Sequence, residues 1–136
     1  MFSPGSFAAM LRGMIPMLEV AEHHGLEKAA QHMEDLSKAA IGSNLYDWPP
    51  LAASTIARKG ADTPLLQTGG LRDSIHHSVT SSRTAEVGSD DPKADWAENG
   101  TTKAPPRSFL AAPAAAHRDE LIAMMAGPVL GVLGHK

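Results

Sequence analysis

The spacing of apolar residues changes period twice along this chain, and that change limits the folds open to it. Leu26, Ala29, Met33, Leu36 and Ala40 recur at three and four residues, with Glu27, Lys28, Glu34, Asp35 and Lys38 on other faces. This predicts an amphipathic helix that Gly42 can end. Further on the pattern becomes an alternation: Leu71, Ile75, His77 and Val79 against Arg72, Ser74, His76 and Ser78. Ala85 and Val87 continue it after a turn at residues 81–83, which predicts a hairpin. Residues 109–125 return to helical spacing through Leu110, Ala114, His117, Leu121 and Met124, and Gly127-Pro128 is expected to stop that helix. Helix, hairpin and helix in this order give an α+β class: N-terminal helices and a C-terminal helix packed on a small antiparallel β-sheet.

The remaining segments fill in around this frame. Ser3 is placed to cap a first helix with Pro4 at its first position, and Phe7, Met10, Leu11 and Met14 then share a face. Pro16 is expected to kink or break that helix near Ile15, because it removes one ladder bond and crowds the preceding turn. Residues 43–70 read as an extended connection with a short helix over 51–58; "GSDDPK" is a loop, and "ADWAE" a short helix or strand before the turn "NGTTKAPPR". The final "VLGVLGHK" is apolar, and its glycines argue against helix, so it is expected to dock, on a neighbour if not on its own chain. The whole is one domain, 1–136: a helical segment 1–42, a connection with the sheet 43–108, a C-terminal helix 109–127 and an apolar tail 128–136.

A chain of 136 residues buries roughly 68 to 70% of its unfolded surface. The quality of the core is the constraint. Of the residues counted as hydrophobic, 22 are Ala, and Val, Ile, Leu and Phe together number 26. Such a thin core suits a chain that completes its burial against neighbouring subunits. The net charge of -3 argues against a basic nucleic-acid grip, and the absence of Cys excludes disulfides, thiolate zinc sites and cysteine nucleophiles. Arg12, Gly13 and Pro16 interrupt the apolar N-terminus, so neither a signal peptide nor a membrane span is expected, and a soluble, cytoplasmic product is the default.

The chemical motifs are few. "PLLQTGGLRDSIHHSV", residues 64–79, has adjacent glycines ahead of an alternation, unlike the Gly-x-x-x-x-Gly-Lys-Ser/Thr or Gly-x-Gly-x-x-Gly loops that cradle phosphates. It reads as a tight turn with one glycine at positive φ, leading into a strand. His23 and His24 face different sides of a helix, and His32 lies two turns on, a spacing unlike the three or four residues of paired metal ligands. His76 and His77 point to opposite faces of a strand. A small zinc or manganese enzyme built on His23, His24, His32 and nearby carboxylates is one alternative, and a protein-binding module on the N-terminal helices is another. No Gly-x-Ser-x-Gly elbow supports nucleophilic catalysis. The carboxylate pairs Asp90-Asp91 and Glu34-Asp35 read as solvated surface, and the methionines at 10, 14, 17, 124 and 125 as core or interface packing.

Two segments, "PLLQTGGLRDSI" and "VGSDDPKADWAENGTTKAPPRSFLAAP", together carry a family resemblance. Their order resembles the neck and tail-completion (head-tail joining) proteins of long-tailed bacteriophages, including Mu-like virion morphogenesis proteins. Thr68, Gly69, Leu71, Ser74 and Ile75 match the first block. Val87, Gly88, Ala94, Glu98, Gly100 and Thr101 match the middle, and Pro106, Arg107, Phe109, Leu110 and Pro113 the last. The likeness covers residues 64–113. Lys93, Asn99 and Ser108 depart from the pattern, where the family usually has an aromatic, an aromatic and a proline, and Trp96 supplies aromatic bulk three residues after Lys93.

The resemblance implies a structural virion protein and not an enzyme, with no cofactor and no metal. It implies helices packed on an antiparallel sheet, and copies assembled as a homo-oligomeric ring, commonly sixfold, at the head-tail junction or top of the tail. The implied partners are further copies of the chain and the adjacent adaptor, stopper, terminator or tail-tube proteins, with DNA passing through the lumen without sequence-specific binding, and no membrane. Trp96, Glu98, Arg107 and Phe109 are the residues expected at the subunit or partner contact, as an aromatic anchor, a charged pair and an apolar side chain beside a rigid Pro-Pro turn.

Overall fold

A computed structural model describes residues 4–43, 45, 46, 48, 69–81, 83–102 and 105–134. The spine is helix α1, Pro4–Ala40, 37 residues and about 55 Å long at 1.5 Å per residue. A single helical turn, α2 (Gly70–Ser74), leads into the hairpin of β1 (His76–Ser81) and β2 (Thr84–Gly88). Helices α3 (Pro92–Asn99), α4 (Ala111–Ala116) and α5 (Arg118–Val132) follow. The fold is α+β, rich in helix with a two-stranded antiparallel sheet. Thr68 and the short helix expected over residues 51–58 lie outside the described residues, as do the side chains of Phe7, Met10 and Leu11.

α5 lies antiparallel along the middle of α1, and the hairpin rests on α1 beside it. Pro128 and Val132 stand near Pro16 and Ala21, Met125 near Gly25, and Glu120 near His32. Small side chains make this approach close. Ala21, Gly25 and Ala29, four residues apart and all buried, face α5, and a Cβ on Gly25 would stand 2.5 Å from the Met125 carbonyl oxygen. The alanines that thin the core therefore have a structural use: they let two backbones meet.

The hairpin pairs His76 with Gly88, His77 with Val87, Ser78 with Glu86 and Val79 with Ala85, and its register shifts between Val79 and Ser81. His77, Val79, Ala85 and Val87 turn toward α1, and His76, Ser78 and Glu86 toward solvent, as the alternation predicts. The core gathers at the C-terminal end of α1. Ala40, Ile41, Trp48, Leu71, Ile75, Ala94, Ala97 and Phe109 form one buried cluster, with Tyr46, Val87 and Leu110 packed on it.

Four expectations about element limits are corrected. Pro16 does not break the first helix, which continues to Ala40, and Gly127-Pro128 does not stop the last, which continues to Val132. Each proline removes one ladder bond, a local cost that ends neither helix. The C-terminal helix is instead interrupted at His117, between α4 and α5, and the apolar tail expected to be non-helical supplies the last turn of α5. Finally, the strand begins at His76, not Leu71. Leu71 and Ile75 are four residues apart, a spacing that satisfies a helical turn as well as an alternation. The polar Asp73 would face inward on a strand but is exposed on α2, which decides between the two. Gly42, at φ 81, follows the end of α1 as expected, and the Ser43 hydroxyl donates to the freed Ala40 carbonyl at 2.6 Å.

Candidate functional site

The residues singled out by pattern converge on one end of the molecule. Gly69 has φ 84, so the positive-φ turn expected at the Gly-Gly pair is present. Its carbonyl accepts from Asp73 N at 2.9 Å, and the Ser74 hydroxyl donates to the Leu71 carbonyl at 2.6 Å and also meets Ser89 Oγ. That side-chain web closes α2 and ties it to the loop after β2. Leu71 and Ile75 drop from it into the core against Ala94 and Phe109.

Helix α3 starts with Asp91, whose carboxylate accepts from Lys93 N at 3.0 Å, and with Pro92 at the first helical position. It buries Ala94 and Ala97, three residues apart, and ends at Gly100, φ 78. Trp96 lies on the outward side and is 56% exposed. The chain then returns along α3: Arg107 N donates to the Ala97 carbonyl at 2.7 Å. Pro106 and Thr101 are on the surface, and Pro113 is buried in α4. Gly88, paired with His76 at the end of the hairpin, has open space where a Cβ would stand, so packing does not account for glycine there.

Glu98 organises this return. Its Oε1 accepts from the Ser108 hydroxyl at 2.7 Å and from Ala111 N at 2.9 Å, and its Oε2 from Leu110 N at 3.1 Å. A carboxylate from α3 thus satisfies backbone donors at the start of α4, the role an N-cap side chain ordinarily has. Ser108 Oγ adds a bond from Ala112 N at 3.0 Å. Of the four residues expected at a contact, Trp96 presents its side chain outward. Phe109 is 0% exposed and Arg107 8%, both inside the chain's own fold, and Glu98 is half-buried and engaged in the turn.

Two histidine clusters were not legible as such in the sequence. His77 reaches from β1 to two turns of α1, with Nε2 2.8 Å from Glu27 Oε1 and Nδ1 3.1 Å from Glu34 Oε1. The bond to Glu27, and then that to Glu34, holds the imidazole above its ordinary 6.5 against the opposing effect of burial. For Glu34, burial pushes the carboxyl up, but His77 and then Lys38 and Gln31 outweigh it and leave it below 4.5. The reading of Glu34-Asp35 as solvated surface is corrected for Glu34, whose side chain is 13% exposed because the hairpin covers it. The available signal was the seven-residue spacing of Glu27 and Glu34, which puts both on one face, opposite an inward histidine in the alternation.

The second cluster joins α1 to α5. His117 Nδ1 is 2.9 Å from Glu120 Oε2, and His32 Nε2 is 3.0 Å from Glu120 Oε1 but off the line of a hydrogen bond. The His117 bond is the main reason the Glu120 carboxyl lies below 4.5. His23 and His24 are exposed, and among the described residues no three His, Asp or Glu side chains are arranged to hold a metal.

The far end of the molecule is different in kind. Pro16, Met17, Val20, Ala21, His24, Pro128 and Val132 line a shallow groove of about 470 Å³. Ile15, Met17, Val20, Leu130 and Leu133 are exposed around it. Among the described residues, no helix is long and apolar enough to cross a membrane. Compared with family models, curated proteins and solved structures, the chain matches none.

Proposed function

We propose that the chain is a structural virion protein of a tailed phage, a non-enzymatic ring subunit at the head-tail junction or top of the tail. One observation carries the reading. The two segments that resemble neck and tail-completion proteins, separated by the hairpin, fold into a single unit: Leu71 and Ile75 from the first pack with Ala94, Ala97 and Phe109 from the second. The turn residues Gly69 and Gly100 and the capping carboxylate Glu98 support that unit, which holds Trp96 at the surface beside it. The apolar groove between α1 and α5 gives a second uncovered surface of the kind a head-to-tail assembly of copies, sixfold in this reading, requires.

Trp96 is then the anchor of the subunit contact, and Arg107, Phe109 and Glu98 hold the loop that presents it. DNA passes through the ring lumen without sequence-specific contact, and the mild negative charge keeps it from adhering. Adjacent neck and tail proteins flank the ring. The test is quantitative mass spectrometry of purified virions of the phage that carries the gene. A fixed number of copies per particle, a multiple of six, is the expected result, and particles lacking the chain would overturn the proposal.

A further inference from the structure

His77 is placed as a bridge between two elements joined otherwise by apolar contact and by the exposed Arg83–Glu22 pair at the hairpin tip. The hairpin sets Ala85 and Val87 against Leu26, Ala29, Ala30 and Met33 of α1, a small apolar footing for two short strands. Into this footing β1 inserts one imidazole, its side chain 14% exposed, with each ring nitrogen at a different carboxylate of α1. A neutral imidazole has one N–H and one lone pair, so in either tautomer one of the two nitrogens would turn a lone pair on a carboxylate. Only the imidazolium donates to Glu27 and Glu34 together. We propose that His77 is a proton-operated latch: doubly protonated it ties β1 to α1, and loss of its proton on the alkaline side loosens the hairpin.

The surrounding charges support this direction. On α1, Glu27 and Glu34 face the ring, and Lys38 Nζ lies 3.4 Å from Glu34 on the side away from the latch. Nearer the hairpin tip, Glu22 meets Arg83 at 3.4 Å, an exposed pair that contributes little to docking. β2 turns Glu86 to the opposite face, and His76 points the same way. The sign follows from the two shifts. Because the His77 value is raised, its stabilisation is complete below 6.5 and is lost as pH rises through the folded-state value. Because the Glu34 value is lowered, its part is present above 4.5 and is lost as pH falls through the folded-state value. Docking of the hairpin is therefore strongest between these limits and loosens on both sides, through His77 as pH rises and through Glu34 as it falls. This inference is independent of the proposed place in a virion.

The test is an NMR titration of the full chain, following the His77 ring nitrogens together with the exchange protection of the β1 and β2 amides, corrected for intrinsic rates. The expected result is a His77 midpoint above 6.5, with hairpin protection falling about tenfold through the same transition, the ordinary worth of one charge-assisted hydrogen bond. In Glu27→Gln, at a half-exposed position that leaves the fold in place, the midpoint moves down and the loss of protection moves with it. In His77→Gln the alkaline step disappears. Hairpin protection that stays level through the His77 transition, or a His77 midpoint unmoved in Glu27→Gln, would overturn the latch.

Discussion

At its C-terminal end α1 runs into a buried core, where Ala40 and Ile41 meet Trp48, Leu71, Ile75 and Phe109, and the side chains of Ser43, Ser74 and Glu98 bond backbone groups of the turns around them. Over its N-terminal half, among the described side chains, nothing before Ala21 is buried, and Ile15, Met17 and Val20 face solvent beside Leu130 and Leu133 of the α5 end. The two ends differ in what covers their apolar side chains. One is finished within the chain, and the other offers apolar surface of the kind a monomer ordinarily covers. The residues that build the core are thus separate from the exposed apolar ones, and Leu71, Ile75, Ala94, Ala97 and Phe109 belong to the first group while Trp96 faces outward.

The contrast is broken most sharply at Phe109. Phe109→Ala removes the largest fully buried side chain and is expected to cost about 3 to 5 kcal/mol, read as a lowered denaturant midpoint. A loss below about 1 kcal/mol would mean that this end is not the core. Next comes the seam between α1 and α5. Gly25→Ala, whose methyl would meet the Met125 carbonyl, is expected to cost about 1 to 3 kcal/mol, whereas Gly127→Ala, with open space around it, should be neutral or stabilise by up to about 1 kcal/mol. Equal effects would contradict the close approach. The smallest effect on folding belongs to Trp96→Ala, within about 0.5 kcal/mol, because the ring is more than half exposed. Its expected consequence is loss of the chain from assembled particles, and parallel loss of folding and assembly would remove Trp96 from the contact.

The class, the hairpin and its inward face were legible in the sequence because a polar residue alternates with an apolar one over β1 and β2, a pattern helices do not share. The positive-φ glycine at 69 and the helix end at Gly42 were legible because few other residues occupy those conformations. The continuity of the helices through Pro16 and Pro128 was not, since a proline reports only a local cost. Phe109 and Arg107 were expected at a contact because a Pro-Pro turn suggests a rigid exposed loop. The return of that loop to the Ala97 carbonyl, which buries both side chains, depends on α3 and is not written in the loop itself. The His77 bridge was hidden for the same reason, since its two carboxylates are 50 and 43 residues distant.

The central claim is that the chain is a structural subunit joining head and tail, and electron microscopy of lysates from the phage deleted for this gene tests it most directly. Separate DNA-filled heads and finished tails are the predicted result. Whole particles of normal shape would contradict it.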